Sequence, residues 1–182
     1  MGDIRIVAGR WGRRRLKAPR GRAVRPTPER VREAVMNRLA PLLEGSQVLD
    51  LFAGSGALGL EALSRGAEHA TLVERDARVV RHLRANVAAF EAEQLVTIVA
   101  GDVFRYLNGL GQLAFDIAFA DPPYGEGLAG RVLNRYLRDP FARILTVEYG
   151  SGEELELPPT ATQRRYGDTA IALIVADDLE EG

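Results

Sequence analysis

Five apolar runs of strand length alternate with helix-length segments from Gln47 onward, and this alternation restricts the fold of the 182-residue chain more than any other feature. The runs are 48–52, 70–74, 96–99, 115–120 and 144–149. Helices are predicted around 58–65, over 77–90 with Val80, Leu83 and Val87 on one face, near 103–107 and around 128–137. Buried strands separated by helices imply an α/β fold with a doubly wound, mostly parallel sheet. Residues 162–166 and 169–175, joined by Gly167-Asp168, read as a closing antiparallel hairpin, which brings the sheet to seven strands. The length is that of one domain, and no internal repeat or domain-scale linker divides it.

Ahead of this pattern lies a different kind of sequence. A short alternation, Ile4-Arg5-Ile6-Val7, is followed by Gly9, Gly12, Pro19, Gly21 and many arginines, as in a small hairpin or extended arm. Thr27 then serves as the N-cap of a helix, with Pro28 and Glu29 in its first turn. Val31, Ala34, Val35 and Leu39 form the expected apolar stripe, with Arg30, Arg32, Glu33 and Arg38 off it. The reading is a basic arm over 1–26, one domain over 27–176 and an acidic tail over 177–182.

Charge follows the same division. The net value is −1, yet residues 1–38 hold 12 Lys and Arg against 3 acids, and the other 144 residues hold 12 against 22. A +9 segment therefore sits on a −10 body. There is no cysteine, which excludes disulfides, thiolate nucleophiles and Cys-ligated zinc, and only His69 and His82 are available for histidine chemistry. No metal site is expected. No targeting segment and no run of membrane-spanning length is visible, so a cytoplasmic monomer is the expectation.

Two motifs carry chemistry. Asp50-Leu51-Phe52-Ala53-Gly54-Ser55-Gly56-Ala57-Leu58-Gly59 joins the first strand of the alternating region to a helix. Backbone amides and a helix N-terminus then face the crevice above the sheet, and Glu74 ends the next strand, where an acid meets ribose hydroxyls. Glycines in such a turn also serve packing alone; the strand, helix and acid around them favour a nucleotide-like cofactor. Asp50 would repel a pyrophosphate and attract a cation, which selects S-adenosylmethionine over a dinucleotide. Asp102, with Val103 beside it, fits the adenine amino group or, alternatively, an N-cap. The second motif, Asp121-Pro122-Pro123-Tyr124, directly follows the fourth run. Its prolines fix the backbone and leave carbonyls free to accept, Asp121 adds a carboxylate, and Tyr124 offers a ring for stacking. Together they form a receptor for an exocyclic amino group on a flat ring.

These motifs resemble those of S-adenosylmethionine-dependent amino-group methyltransferases acting on nucleic-acid bases. Arg5-Ile6-Val7-Ala8-Gly9, the stretch from Arg25 to Glu33, and Phe52 to Ala62 are similar to the RsmD family of 16S rRNA guanine-N2 methyltransferases. The resemblance implies a Rossmann-like methyltransferase fold with an N-terminal β-hairpin extension. It also implies a cofactor site at Asp50, Phe52, Gly54, Ser55, Gly56, Glu74, Asp102 and Val103, and catalysis by Asp121, Pro122 and Tyr124. Arg10, Arg13, Arg14, Arg15, Arg25, Thr27 and Arg30 are the expected contacts to 16S rRNA, in an assembling small subunit. The competing readings are an adenine-N6 methyltransferase on DNA or RNA, a non-catalytic rRNA-binding assembly factor, and an NAD-dependent oxidoreductase.

Overall fold

A computed structural model describes residues 4–17 and 29–176. Thr27, Arg25 and the 177–182 tail lie outside the described residues. The chain opens with β1 (Ile4–Arg5) and β2 (Arg15–Leu16), a two-stranded antiparallel pair, and continues into α1 (Glu29–Leu43). Then follow β3 (Gln47–Asp50), α2 (Ala57–Ser64), β4 (His69–Glu74), α3 (Ala77–Ala89), β5 (Val96–Ala100) and α4 (Val103–Leu107). The last elements are β6 (Phe115–Ala120), α5 (Leu128–Arg138), β7 (Ala142–Gly150), β8 (Thr162–Tyr166) and β9 (Thr169–Val175).

The main sheet has seven strands in the order β5-β4-β3-β6-β7-β9-β8. The strands from β3 to β7 pair in parallel, as the alternation predicts, and β9 pairs antiparallel with both β7 and β8. The expected hairpin is therefore present, but only its inner strand runs against the sheet. The two-residue period of each strand divides its apolar side chains between two layers. Val48, Leu72, Ile117 and Phe119 face a layer with α1, α2 and α3, whereas Leu49, Val73, Ala118 and Ala120 face one with α4 and α5. On α5, Leu128, Ala129, Val132, Leu133 and Tyr136 make the buried stripe that holds it to the second layer.

Element ends move by at most two residues from the sequence reading, and two differences bear on the site. The first run was expected to stay extended to Phe52, yet β3 ends at Asp50; Leu51 N still bonds Phe119 O, and Phe52 turns half-buried toward the loop. On α1 the buried residues are Val31, Arg32, Met36, Leu39 and Leu43, so Arg32 lies on the stripe from which its charge had excluded it. Its partner on α2 explains the difference, as described below.

Candidate active site at the strand ends

Strand order reverses between β3 and β6, and a doubly wound sheet opens a crevice beyond the carboxyl ends of its strands at such a point. Asp50 ends β3, Glu74 ends β4 and Asp121 follows β6 directly, so three carboxylates converge there. Between Asp50 and α2 the chain turns through Gly56 in a left-handed conformation (φ +83°), where a Cβ would stand 2.6 Å from Leu83 Cδ1. Conformation and packing both require glycine there. No side chain caps α2, and the amide of Gly59 donates to Asp50 Oδ2 at 3.2 Å.

Asp50 is 1% exposed, and its Oδ1 is buried without a hydrogen-bond partner. Burial pushes its carboxyl up to about 7 against the Gly59 and Phe52 amides, with the negative charges of Asp121 and Glu74 adding to the rise. A cation placed beside this group would reverse the balance. Glu74 is differently engaged: Oε2 accepts from Gly54 N at 3.2 Å and Oε1 from Asp76 N at 2.8 Å. It is a strut for the loop, and each oxygen retains a lone pair for a further donor. Asp102 caps α4 by accepting from Arg105 N at 2.9 Å and remains exposed, so the capping role is real and leaves its surface open. The Val103 side chain is buried in the second layer and faces away from solvent.

Past β6, Pro122 is buried and Tyr124 is 43% exposed. The Tyr124 hydroxyl donates to Glu148 Oε1 at 2.8 Å and lies 3.0 Å from Thr169 Oγ1, whose own hydrogen can then serve the phenol oxygen. Glu148 is 6% exposed on β7. Burial pushes the Tyr124 hydroxyl above its ordinary range, with the Glu148 charge adding. Glu153 Oε1 accepts from the amides of Gly125 and Gly150, both at 3.2 Å, and ties the same loop to the end of β7. The ring is thus anchored by its hydroxyl edge.

The arginines of the arm separate into two groups. Arg10 lies over the Trp11 ring at 4.1 Å and Arg14 over the Phe90 ring at 4.5 Å, while Arg14 also donates to Ala89 O at the end of α3. Arg13, Arg15 and Arg30 make no such ring contact among the described residues, and all five are exposed. Trp11 meets Phe90 edge to face at 5.3 Å, and Ile6, Trp11 and Leu16 join the first core layer, so the described part of the arm is packed down.

A profile of the family described as conserved hypothetical protein 95 matches residues 4–174. The chain belongs to this family, the RsmD family. Ribosomal RNA small subunit methyltransferase D of Escherichia coli K12 is 44% identical over 133 residues, which cover 73% of this chain and 66% of that relative. The alignment thus spans just under two thirds of that relative's length. The Haemophilus influenzae protein of the same name is 38% identical over 175 residues, covering 93% of this chain and 91% of the relative. Among solved structures, a methyltransferase from Escherichia coli matches with a TM-score of 0.80 at 36% identity, covering 94% of this chain and 97% of that one. The Rossmann-like methyltransferase architecture is therefore that of the family.

The three family-like segments meet in space at Glu61. Glu61, fully buried on α2, accepts from Val7 N at 2.7 Å, Ala8 N at 3.1 Å and Arg65 Nε at 2.8 Å, and faces Arg32 Nε at 3.9 Å. Burial lowers the Arg32 pKa and the Glu61 charge opposes that fall. This pair is why Arg32 takes a buried position on α1. Asn86, also buried, accepts from Lys17 N at 2.9 Å and donates to Lys17 O at 3.0 Å and Ser55 O at 2.8 Å, which joins the arm to the glycine loop. Sequence reasoning missed Glu61, Asn86, Glu148 and Thr169. The one visible signal was a carboxylate inside the apolar stretch Leu58-Gly59-Leu60-Glu61-Ala62-Leu63.

Proposed function

We propose that this chain transfers a methyl group from S-adenosylmethionine to the exocyclic N2 of a guanine in 16S rRNA. The observation that carries the proposal is the juxtaposition at one switch point of a buried carboxylate with an unpartnered oxygen, Asp50, and a rigid acceptor turn bearing a half-exposed ring, Asp121 to Tyr124. The donor set suits a cofactor that carries cationic centres and no phosphate. Asp50, Phe52 and the Gly54-Ser55-Gly56 turn would hold its amino-acid end, Glu74 its ribose, and Asp102 with the Val103 backbone its adenine. When bound, this cofactor supplies an electrophilic methyl group on a sulfonium.

The chain's own residues prepare the nucleophile. The Asp121 carboxylate and the Pro122 carbonyl accept the two N–H bonds of the guanine amino group, which turns the nitrogen lone pair out of conjugation and toward the methyl donor. Asp121 also stands where the departing proton leaves the nitrogen. The base must be unstacked to reach this turn, and Tyr124 compensates by stacking, worth about 1–3 kcal/mol. Cysteine and histidine chemistry has no part in this displacement. The basic arm, through Arg13, Arg15 and Arg30 with Arg25 and Thr27, supports phosphate binding. We place the target guanine in an assembling small subunit, met by a cytoplasmic monomer.

Nucleoside mass spectrometry of 16S rRNA, taken from a strain lacking the gene and incubated with the enzyme and S-adenosylmethionine, tests the proposal. One new N2-methylguanosine is expected. N6-methyladenosine in its place would move the target to adenine. Binding without methyl transfer would leave an assembly factor.

A further inference from the structure

A groove runs between α1 and the β8–β9 hairpin, on the sheet face opposite α4 and α5. Its floor is apolar, made of Val35, Ile171 and Leu173, and its walls carry Arg38 and Arg164. None of the residues that line it is acidic, and it brings Arg38 of the basic 1–38 segment beside Arg164 of the body, in which acids outnumber bases 22 to 12. Four arginines of that body pair with a carboxylate among the described residues: Arg65 with Glu61, Arg78 with Asp76, Arg135 with Asp139 and Arg143 with Asp116. Arg38 and Arg164 have no carboxylate partner among the described residues, and both are exposed. Arg38 Nη2 donates to Thr162 Oγ1 at 2.7 Å, which fixes the guanidinium across the groove and leaves its other donors open.

The groove is continuous with both functional regions. At its upper end Tyr166 pairs in register with Thr169, whose hydroxyl meets that of Tyr124. At its other wall, α1 touches the arm about two turns before Arg38, through the Arg5–Glu29 ion pair at 3.0 Å and the bond from Arg32 to Arg5 O. We propose that this groove takes the sugar–phosphate backbone of the RNA that flanks the target nucleotide, with Arg38 and Arg164 on successive phosphates. The inference rests on the RNA-methyltransferase reading above and extends it to a second contact surface. A polyanion matches two unpaired guanidinium groups, which bind phosphate bidentately, and ribose packs on an apolar floor. The rival explanation for Arg164 is that, with Arg165, it blunts the exposed edge of β8 against strand pairing.

The test measures the affinity of wild type, Arg38→Gln, Arg38→Gln/Arg164→Gln and Arg38→Lys/Arg164→Lys for unmethylated 16S rRNA across a salt series. The double Gln variant is expected to weaken binding about tenfold at physiological salt and to flatten the slope of log K against log salt by about 1.5. Arg38→Gln, away from the sheet edge, should flatten it by about half as much, the Lys pair should keep the wild-type slope, and S-adenosylmethionine affinity should stay unchanged throughout. A wild-type slope in both Gln variants, from a wild type that methylates the RNA, overturns the groove assignment alone; solubility loss confined to variants of Arg164 would then leave edge protection as its role. Lost binding to small-subunit particles with an unchanged slope on bare rRNA would give the groove to a protein and also overturn the assignment. A wild type that neither binds nor methylates the rRNA removes the functional reading and the groove together.

Discussion

Two fully buried carboxylates stand eleven residues apart on the β3–α2 unit, and they occupy opposite kinds of surroundings. Around Glu61, two arm amides and two arginines surround the charge on every side. Around Asp50, one oxygen has no partner and two other acids press on it. Burial alone does not separate scaffold from site. What separates the two carboxylates is saturation: Glu61 holds the molecule together, and Asp50 has an oxygen left over, which the proposed function gives to a ligand.

The difference has consequences that can be measured, and the largest lies on the saturated side. Glu61→Ala leaves Arg32 buried without its counter-charge and frees two arm amides, so we expect urea denaturation to register a loss of about 3–5 kcal/mol. A loss below about 1 kcal/mol would erase the distinction. In the crevice, Asp121→Ala is expected to lower kcat by roughly 10²–10³ while calorimetry still finds cofactor binding, because in the proposed mechanism the residue meets the base. Wild-type turnover in that variant would take Asp121 out of the reaction.

The third prediction concerns Asp50 and pH. Its folded pKa of about 7 lies above its ordinary 3.8, so its contribution to stability is complete below 3.8 and is lost as pH rises through 7. The unliganded protein should therefore melt at falling temperature between about pH 4 and 8, and Asp50→Asn should flatten that trend, with a gain of at most about 4 kcal/mol at the alkaline end. Binding of the cationic cofactor should tighten across the same interval and release a proton on its acid side. A pH-independent melting curve in the wild type would show that the carboxylate is better satisfied than its surroundings indicate. The smallest effect distinguishes neighbouring arginines. Arg14→Gln, which loses the Phe90 face and the Ala89 carbonyl, should cost about 1 kcal/mol of stability. Arg13→Gln should cost none and instead flatten the salt slope of RNA binding by about 1. Equal behaviour of the two would mean that the arm's charge acts only in bulk.

Much of the crevice was legible because its signals are local. Strand and helix periods fix the alternation, the alternation fixes the switch point, and Asp50, Glu74 and Asp121 then fall at strand ends without any knowledge of packing. The remainder depends on partners that are far away in sequence. Arg32 looks like surface until Glu61 is beside it, and Asn86 reads as one more polar residue on α3 until it meets Lys17 and Ser55. Tyr124 was visible as a ring to stack on, but Glu148 and Thr169, which hold it, lie 24 and 45 residues further along. Hydrophobic spacing reports which face of an element is buried. It does not report which polar group will be satisfied there.

The reversed strand β9 sits inside the sheet, between β7 and β8, although it is made after both. A chain synthesised from its N-terminus can assemble the arm, the glycine loop and the Asp121 turn while this slot is still vacant. Thr169 is the first residue of β9 and one of the two anchors of Tyr124. Closing the sheet and steadying the Tyr124 ring are therefore one event, so on the proposed function a partly made chain would have the Asp121 carboxylate before it could hold a base against it.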